Sequence, residues 1–198
     1  MELADVIRIL IVDDHPAMRA GLTAVLRAEP GFVPLDAATS DSDMWPMLNR
    51  TKPDVVVLDY HLPGDDGLVL CRAIKRRLPA PAVLLYSAHA DAALTIPARL
   101  AGVDGLVSKS APANELYDAI RRVARGERVL PPLSRELLDD AGNRLDADEL
   151  PILGMTLEDT PLLEIAATLG VEPAQIAHRI DRMIKRLKVE IPAPRAAR

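Results

Sequence analysis

The chain has 198 residues, 49% of them hydrophobic and 27% charged, with a formal net charge of −5. That length supports one good core and a small second domain, and the negative balance excludes a protein that coats nucleic acid over its whole surface. The lone cysteine, Cys71, excludes an intramolecular disulfide and a cysteine-based zinc site.

In chain order, Ile7 to Val12 reads as a strand ending at Asp13-Asp14. His15-Pro16 opens a helix with Met18, Leu22, Val25 and Leu26 at helical spacing, since proline suits a first turn. A weaker strand runs from Phe32 to Ala37, and a helix from Ser40 to Arg50 contains Pro46. Val55 to Leu58 is β-branched and without polar alternation, as in a strand buried on both faces, and it runs into Asp59 and then a Pro63-Gly64 turn. Asp66 caps a helix carrying Leu68, Leu70, Cys71 and Ile74, whose end is basic at Lys75, Arg76 and Arg77. Pro81 to Tyr86 is a fourth strand, ending at Ser87-Ala88. The helix within Asp91 to Ala101 contains Pro97, so it is kinked or starts late, near Thr95. Val103 to Val107 is a fifth strand, ending at Ser108-Lys109, and Pro112 to Gly126 is a closing helix. Strict alternation of strand and helix predicts a doubly wound five-stranded parallel sheet.

Such a sheet brings Asp13, Asp14, Asp59, Ser87 and Lys109 to the carboxyl ends of its strands, the edge where ligands bind in this architecture. Converging carboxylates repel unless a cation lies among them, and Mg²⁺ takes carboxylate oxygens. A carboxylate can attack phosphorus to give an acyl phosphate, with a metal and a lysine neutralising the phosphoryl oxygens.

Residues 7 to 126 resemble the receiver domain of bacterial two-component response regulators, through Asp13-Asp14, Asp59 with Leu62-Pro63-Gly64 and Asp66-Gly67, Ser87-Ala88, and Lys109. The resemblance implies a flavodoxin-like receiver over 1–126. Asp59 would accept a phosphoryl group from a sensor histidine kinase. Asp13, Asp14, Asp59 and the His61 carbonyl would hold Mg²⁺, and Ser87 and Lys109 would bind the phosphoryl group. The position that usually carries a switch aromatic is Leu106, and Ser110 stands where proline is usual. His61 and His89 flank the site, where a histidine could tune the phosphoryl lifetime, but the favoured reading is of solvent-exposed loop histidines. An enzyme of the haloacid dehalogenase type would need a second Asp where this chain has His61, so no enzymatic activity is expected.

Residues 127–144, with Pro131-Pro132 and Gly142-Asn143, read as a linker with a short helix after Ser134. Beyond it Asp146 to Glu149 resembles a capping box, Pro161 to Leu169 is a helix, and Gly170 turns into a helix opened by Pro173. Ile176, Ile180, Met183, Ile184 and Leu187 form its apolar stripe. Residues 145–191 resemble the LuxR-type helix-turn-helix that follows the receiver in the NarL/FixJ class, through Leu145, Glu149, Glu164-Ile165-Ala166, Leu169-Gly170 and Lys185-Arg186-Leu187; 192–198 is a tail. Charge is uneven: from Ala174 onward seven Lys/Arg face two acids, whereas 17 basic and 27 acidic residues precede it.

In that class the last helix enters the major groove. Gln175, His178, Arg179, Arg182 and Arg186 are the candidate DNA contacts here. Departures are Ala177 for a base-reading lysine, Asp181 one turn on, Leu163 for a basic residue, and Pro151 with Gly154 in the domain's first helix. Two outputs therefore stand side by side: DNA binding, with a homodimer as one assembly, or binding of a partner protein by an output domain that has lost DNA recognition. The chain lacks a secretory signal pattern and a stretch of about 18 apolar residues, so a cytoplasmic location without membrane association is the expectation.

Overall fold

The computed structural model describes residues 6–62, 65–88, 90 and 92–188, Asp65 by its backbone alone. Pro63-Gly64, His89, Asp91 and the 192–198 tail lie outside the described residues. The N-terminal half runs β1 (Ile7–Val12), α1 (Pro16–Ala28), β2 (Phe32–Ala38), α2 (Asp41–Thr51) and β3 (Val55–Leu58). A two-residue ladder of β4 (His61–Leu62) and β5 (Asp65–Asp66) follows, then α3 (Gly67–Lys75), β6 (Ala82–Ser87), α4 (Thr95–Ala101), β7 (Gly105–Ser108) and α5 (Ala113–Ala124). The five-stranded sheet has order β2-β1-β3-β6-β7 and every pair is parallel.

The β-branched strands divide the core by alternation. Ile9, Ile11, Val55, Val57, Leu84 and Tyr86 pack with Leu22 and Leu26 of α1 and Leu116, Ile120 and Val123 of α5. Leu10, Val12, Val56, Leu58, Val83 and Leu85 pack on the other face with α2, α3 and α4. Both faces of a parallel sheet are thus covered, which is why these strands carry no polar alternation. Pro34 sits in β2, an edge strand, where its missing N–H is tolerated, and the β1–β2 register shifts beside it. The helix around Pro97 starts late: α4 begins at Thr95, after a 3-10 turn at Ala92–Leu94, and Pro97 falls in its first turn.

The stretch read as a linker is tied down. Val129 bridges to Gly105 of β7, and Leu106 N donates to Val129 O at 2.9 Å, so this segment extends the sheet edge. Ser134 then caps α6 (Arg135–Arg144), its hydroxyl accepting from Leu137 N at 3.2 Å. Three further helices follow: α7 (Leu150–Leu157), α8 (Leu162–Leu169) and α9 (Pro173–Leu187). Pro151 lies in the first turn of α7 and breaks no helical hydrogen bond, contrary to a position in the helix interior. Gly170 ends α8 at φ 65°, a left-handed conformation that glycine adopts without strain.

The stripe of α9 is buried as its spacing predicts: Ile176, Ile180, Met183, Ile184 and Leu187. Each such side chain contributes about 1.5–3 kcal/mol on burial. These residues belong to the same apolar cluster as the α3 and α4 face of the sheet. α4 packs against both α7 and α9. That explains why six of its seven residues are buried: a helix apolar all round is covered on all sides.

Candidate functional site

The parallel register sets the site. Val12 lies beside Leu58, and Leu58 beside Leu85. The ladder continues past the strands, with Asp59 N donating to Val12 O at 2.8 Å and Asp13 N to Ala38 O at 3.1 Å. Lys109 N donates to Ser87 O at 2.9 Å. Asp13, Asp59 and Ser87 are buried at 2%, 4% and 0% exposure, an uncommon depth for two carboxylates. Lys109 Nζ reaches both, at 2.7 Å to Asp13 Oδ2 and 2.7 Å to Asp59 Oδ2.

Burial pushes the Asp59 carboxyl above its ordinary pKa, and the bonds from Lys109 offset this only in part. Burial opposes the Lys109 charge, but the two carboxylates outweigh it and raise its pKa. His61 N donates to Asp59 Oδ1 at 3.3 Å, fixing the loop after β3. Gly67 is required here: a Cβ on it would stand 2.5 Å from Asp59 O and 2.8 Å from Tyr60 Cα. The start of α3 therefore crosses directly over the Asp59 backbone.

The remaining expected site residues fall as follows. Asp14 is partly exposed, but its Oδ1 is buried and accepts no hydrogen bond. An orphaned carboxylate oxygen beside two further carboxylates is a donor set that fits a hard divalent cation; ligand atoms of Asp13, Asp14, His15 and Asp59 all lie within 4.8 Å of one another. Leu106 is buried at 7% in β7, paired beside Leu85, and belongs to the apolar core.

The candidate DNA contacts are placed less simply. Gln175 and His178 are exposed on α9. The arginines face acids just before α7: Arg179 pairs with Asp148 at 2.9 Å, and Arg186 with Asp146 and Glu149, both at 2.7 Å. Arg182 lies 3.9 Å from Glu149 Oε1. Glu149 is fully buried and its Oε2 also accepts from Asp146 N at 3.0 Å, half of the capping box. Arg186 thus balances a buried carboxylate as well as facing outward.

Asp181 points the other way, into the first half of the chain. Arg72 Nε reaches its Oδ1 at 2.5 Å and Arg76 Nη2 its Oδ2 at 2.6 Å. Arg72 also donates to Ala177 O at 3.4 Å, and Lys188 Nζ pairs with Asp66 Oδ2 at 3.1 Å. Burial lifts the Asp181 carboxyl, but the two guanidiniums outweigh it and hold it below the usual carboxylate range. This contact was missed in the sequence. Its signal was a single acid in an otherwise basic helix, together with the basic end of α3.

An open α/β sheet with paired acids after β1, an acid after β3, and a hydroxyl and a lysine at neighbouring strand ends defines the class of receiver-type phosphoacceptor folds. Residues 9–121 match the response regulator receiver domain family. The chain is 30% identical to the transcriptional activator protein ExaE of Pseudomonas putida, over 91% of this chain and 90% of that protein. It is 29% identical to the DNA-binding transcriptional activator DevR/DosR of Mycobacterium tuberculosis, over 92% and 83%. Among solved structures, the two-component response regulator RcsB in its DNA complex superposes with a TM-score of 0.61 at 23% identity, covering 93% of each chain, a likeness of fold. The chain belongs to the response regulators of two-component systems, in the NarL/LuxR group. Among the described residues no helix is long and apolar enough to cross a membrane.

Proposed function

We propose that Asp59 is the phosphoacceptor of this regulator, that a sensor histidine kinase is its donor, and that phosphorylation governs a C-terminal domain that binds promoter DNA in the cytoplasm. The observation that carries the proposal is the pair of 2.7 Å contacts from Lys109 Nζ to the buried carboxylates Asp13 and Asp59. In the reaction an Asp59 carboxylate oxygen forms a bond to phosphorus while the phosphorus–nitrogen bond of the donor phosphohistidine breaks. The electron pair leaves with the imidazole, which takes up a proton. Lys109 would stabilise charge on the phosphoryl oxygens and Ser87 would donate to one of them. Asp13, Asp14, Asp59 and the His61 carbonyl would hold Mg²⁺, which supplies further charge neutralisation when bound.

DNA output is supported by the names of the relatives, ExaE a transcriptional activator and DevR/DosR a DNA-binding one. The α8-Gly170-α9 arrangement has the helix-turn-helix form. Exposed Gln175 and His178, with Arg179 and Arg182, are the side chains offered to DNA. A second reading, an output that binds a partner protein, is favoured by Asp181, which presents a carboxylate where DNA presents phosphate and which pairs with Arg72 and Arg76.

Incubation with Mg²⁺ and a small acyl-phosphate donor should add one phosphoryl group, and Asp59→Asn should abolish it; equal labelling of the variant refutes the assignment. Mobility shift against genomic fragments, with Arg182→Ala as control, separates the two outputs. Binding that weakens steeply with salt supports DNA, and its absence even after phosphorylation supports the partner-protein reading.

A further inference from the structure

Asp66 joins the phosphoacceptor loop to the last helix of the chain. Its Oδ1 accepts from Leu68 N at 2.9 Å and caps α3, and its backbone pairs with His61 in the β4–β5 ladder. Beside it, Gly67 N donates to Tyr60 O at 2.9 Å. Gly67 crosses the Asp59 backbone so closely that a Cβ would stand 2.5 Å from Asp59 O. The other Asp66 oxygen, Oδ2, accepts from Lys188 Nζ at 3.1 Å, 122 residues along the chain. Lys188 is the C-cap of α9, and its N–H donates to Ile184 O at 2.9 Å. Ile184 and Leu187 are buried in the apolar cluster that α9 shares with α3 and α4, so the root of the Lys188 side chain is held.

The far end of these contacts is the site itself. His61 N donates to Asp59 Oδ1 at 3.3 Å, and the His61 carbonyl is the backbone oxygen proposed for Mg²⁺. Mg²⁺ demands near-ideal octahedral placement of its ligands. A ligand already held by outer contacts therefore binds more tightly than one that must be ordered on binding. Asp66, through its cap and its ladder, is such an outer contact, and Lys188 holds Asp66.

We propose that Lys188 is a positioning residue for the phosphoacceptor site: when α9 is docked it pins Asp66 and the β4–β5 ladder, and so holds the His61 carbonyl ready for Mg²⁺. This role rests on the reading of Asp59 as a Mg²⁺-dependent phosphoacceptor. It makes the C-terminal domain a contributor to the receiver's chemistry as well as its output. By linkage, Mg²⁺ at the site favours the docked α9 by the same factor. The Lys188–Asp66 pair is partly exposed, and the worth of such pairs sets the coupling at about two- to fivefold. The competing role is plain stabilisation of the contact between the two halves, which would leave Mg²⁺ affinity unmoved.

The test uses the full chain. Mg²⁺ affinity is measured by calorimetry, and labelling by a small acyl-phosphate donor is followed as Mg²⁺ is varied. Lys188→Met should weaken Mg²⁺ binding about two- to fivefold and slow labelling at low Mg²⁺ by the same factor, with the rate at saturating Mg²⁺ unchanged. Lys188→Arg should retain the wild-type affinity. Asp66→Asn keeps a capping side chain and loses the charge, so it should match Lys188→Met, and the double variant should be no worse than either. Unchanged Mg²⁺ affinity in Lys188→Met, a Lys188→Arg variant as impaired as Lys188→Met, or losses that add in the double variant overturn the role of Lys188 alone. Mg²⁺ binding that is undetectable in the wild type, or unaltered by Asp59→Asn, overturns the phosphoacceptor reading and the role of Lys188 with it.

Discussion

Arg72 in α3 and Asp181 in α9 are 109 residues apart in the chain and meet at 2.5 Å. Around them Arg76, Ala177, Lys188 and Asp66 complete a polar seam beside the apolar contact of α4 with α7 and α9. The two α9 positions where the NarL/FixJ class reads bases, Ala177 and Asp181, are on this seam. In this state they face the receiver domain.

Reversing the charge at Asp181 should open the seam. Asp181→Lys sets three like charges together, and the docked state should weaken by about 1–2 kcal/mol, a range that allows for the partial exposure of the pair. Small-angle scattering should report a larger radius of gyration, and hydrogen exchange should quicken in α4 and α9. An unchanged radius with unchanged exchange would count against the ion pair as a latch.

The same pair sets a pH dependence. Because the Asp181 carboxyl is held below its ordinary value of 3.8, its contribution to docking is fully present above that value. It is lost as pH falls through the depressed pKa. Protection factors in α9, which remove the intrinsic pH dependence of exchange, should therefore be flat from neutral pH down to about 4 and then fall. Asp181→Asn should remove this acid limb.

Asp59 has the opposite sign. Its raised pKa means that folding favours the protonated form, so its stabilising contribution is complete below 3.8 and is lost as pH rises through the raised value. Asp59→Asn should raise the melting temperature at pH 7, and the gain should shrink toward pH 3. A variant less stable than wild type at pH 7 would contradict this account.

Lys109→Met leaves Asp13 and Asp59 facing each other without a cation. Removing one partner of a buried ion pair costs about 3–5 kcal/mol, and denaturant unfolding at neutral pH should show a loss of that order. The raised Lys109 pKa places its contribution in full below 10.5 and its loss above the raised value. Adding Asp59→Asn to Lys109→Met should recover part of the loss, and strict additivity would show the two do not interact.

Arg186 offers a check on the DNA face. Arg186→Ala leaves Glu149 buried with a weaker counter-charge and should lower the stability seen in denaturant unfolding. Arg182→Ala, farther from Glu149 and half exposed, should leave stability unchanged within about 0.5 kcal/mol. If the Arg182 variant were the less stable of the two, the assignment of Arg186 to Glu149 would fall.

The sheet was legible because its strands are short apolar runs ending in chemistry: Val12 before Asp13, Leu58 before Asp59, Tyr86 before Ser87, Val107 before Lys109. Period and termination are local properties, and a parallel sheet turns them into neighbours. The Arg72–Asp181 seam was not legible, because nothing local pairs residues so far apart and either could have faced water. Pro97 left its helix either kinked or starting late, near Thr95, and the late start is the outcome, with Pro97 in the first turn of α4. The telling sign there was the run Thr95 to Ala101, with Arg99 as its single charge, which fits a helix covered from both sides. The acids at 146–149 read as a helix start and are one, but their second task, pairing with Arg179 and Arg186, depends on how α9 lies across them.

Val129, bridged to Gly105, anchors the chain to the receiver until just before Pro131. Between that anchor and α6 only Leu130 to Ser134 remain, a tether that spans at most about 18 Å when fully extended. A C-terminal domain that lifts off α4 stays at a local concentration in the millimolar range. Dilution therefore cannot part the two halves. Their separation is a unimolecular equilibrium, indifferent to how many copies a cell holds and answerable to the chemical state of the seam itself.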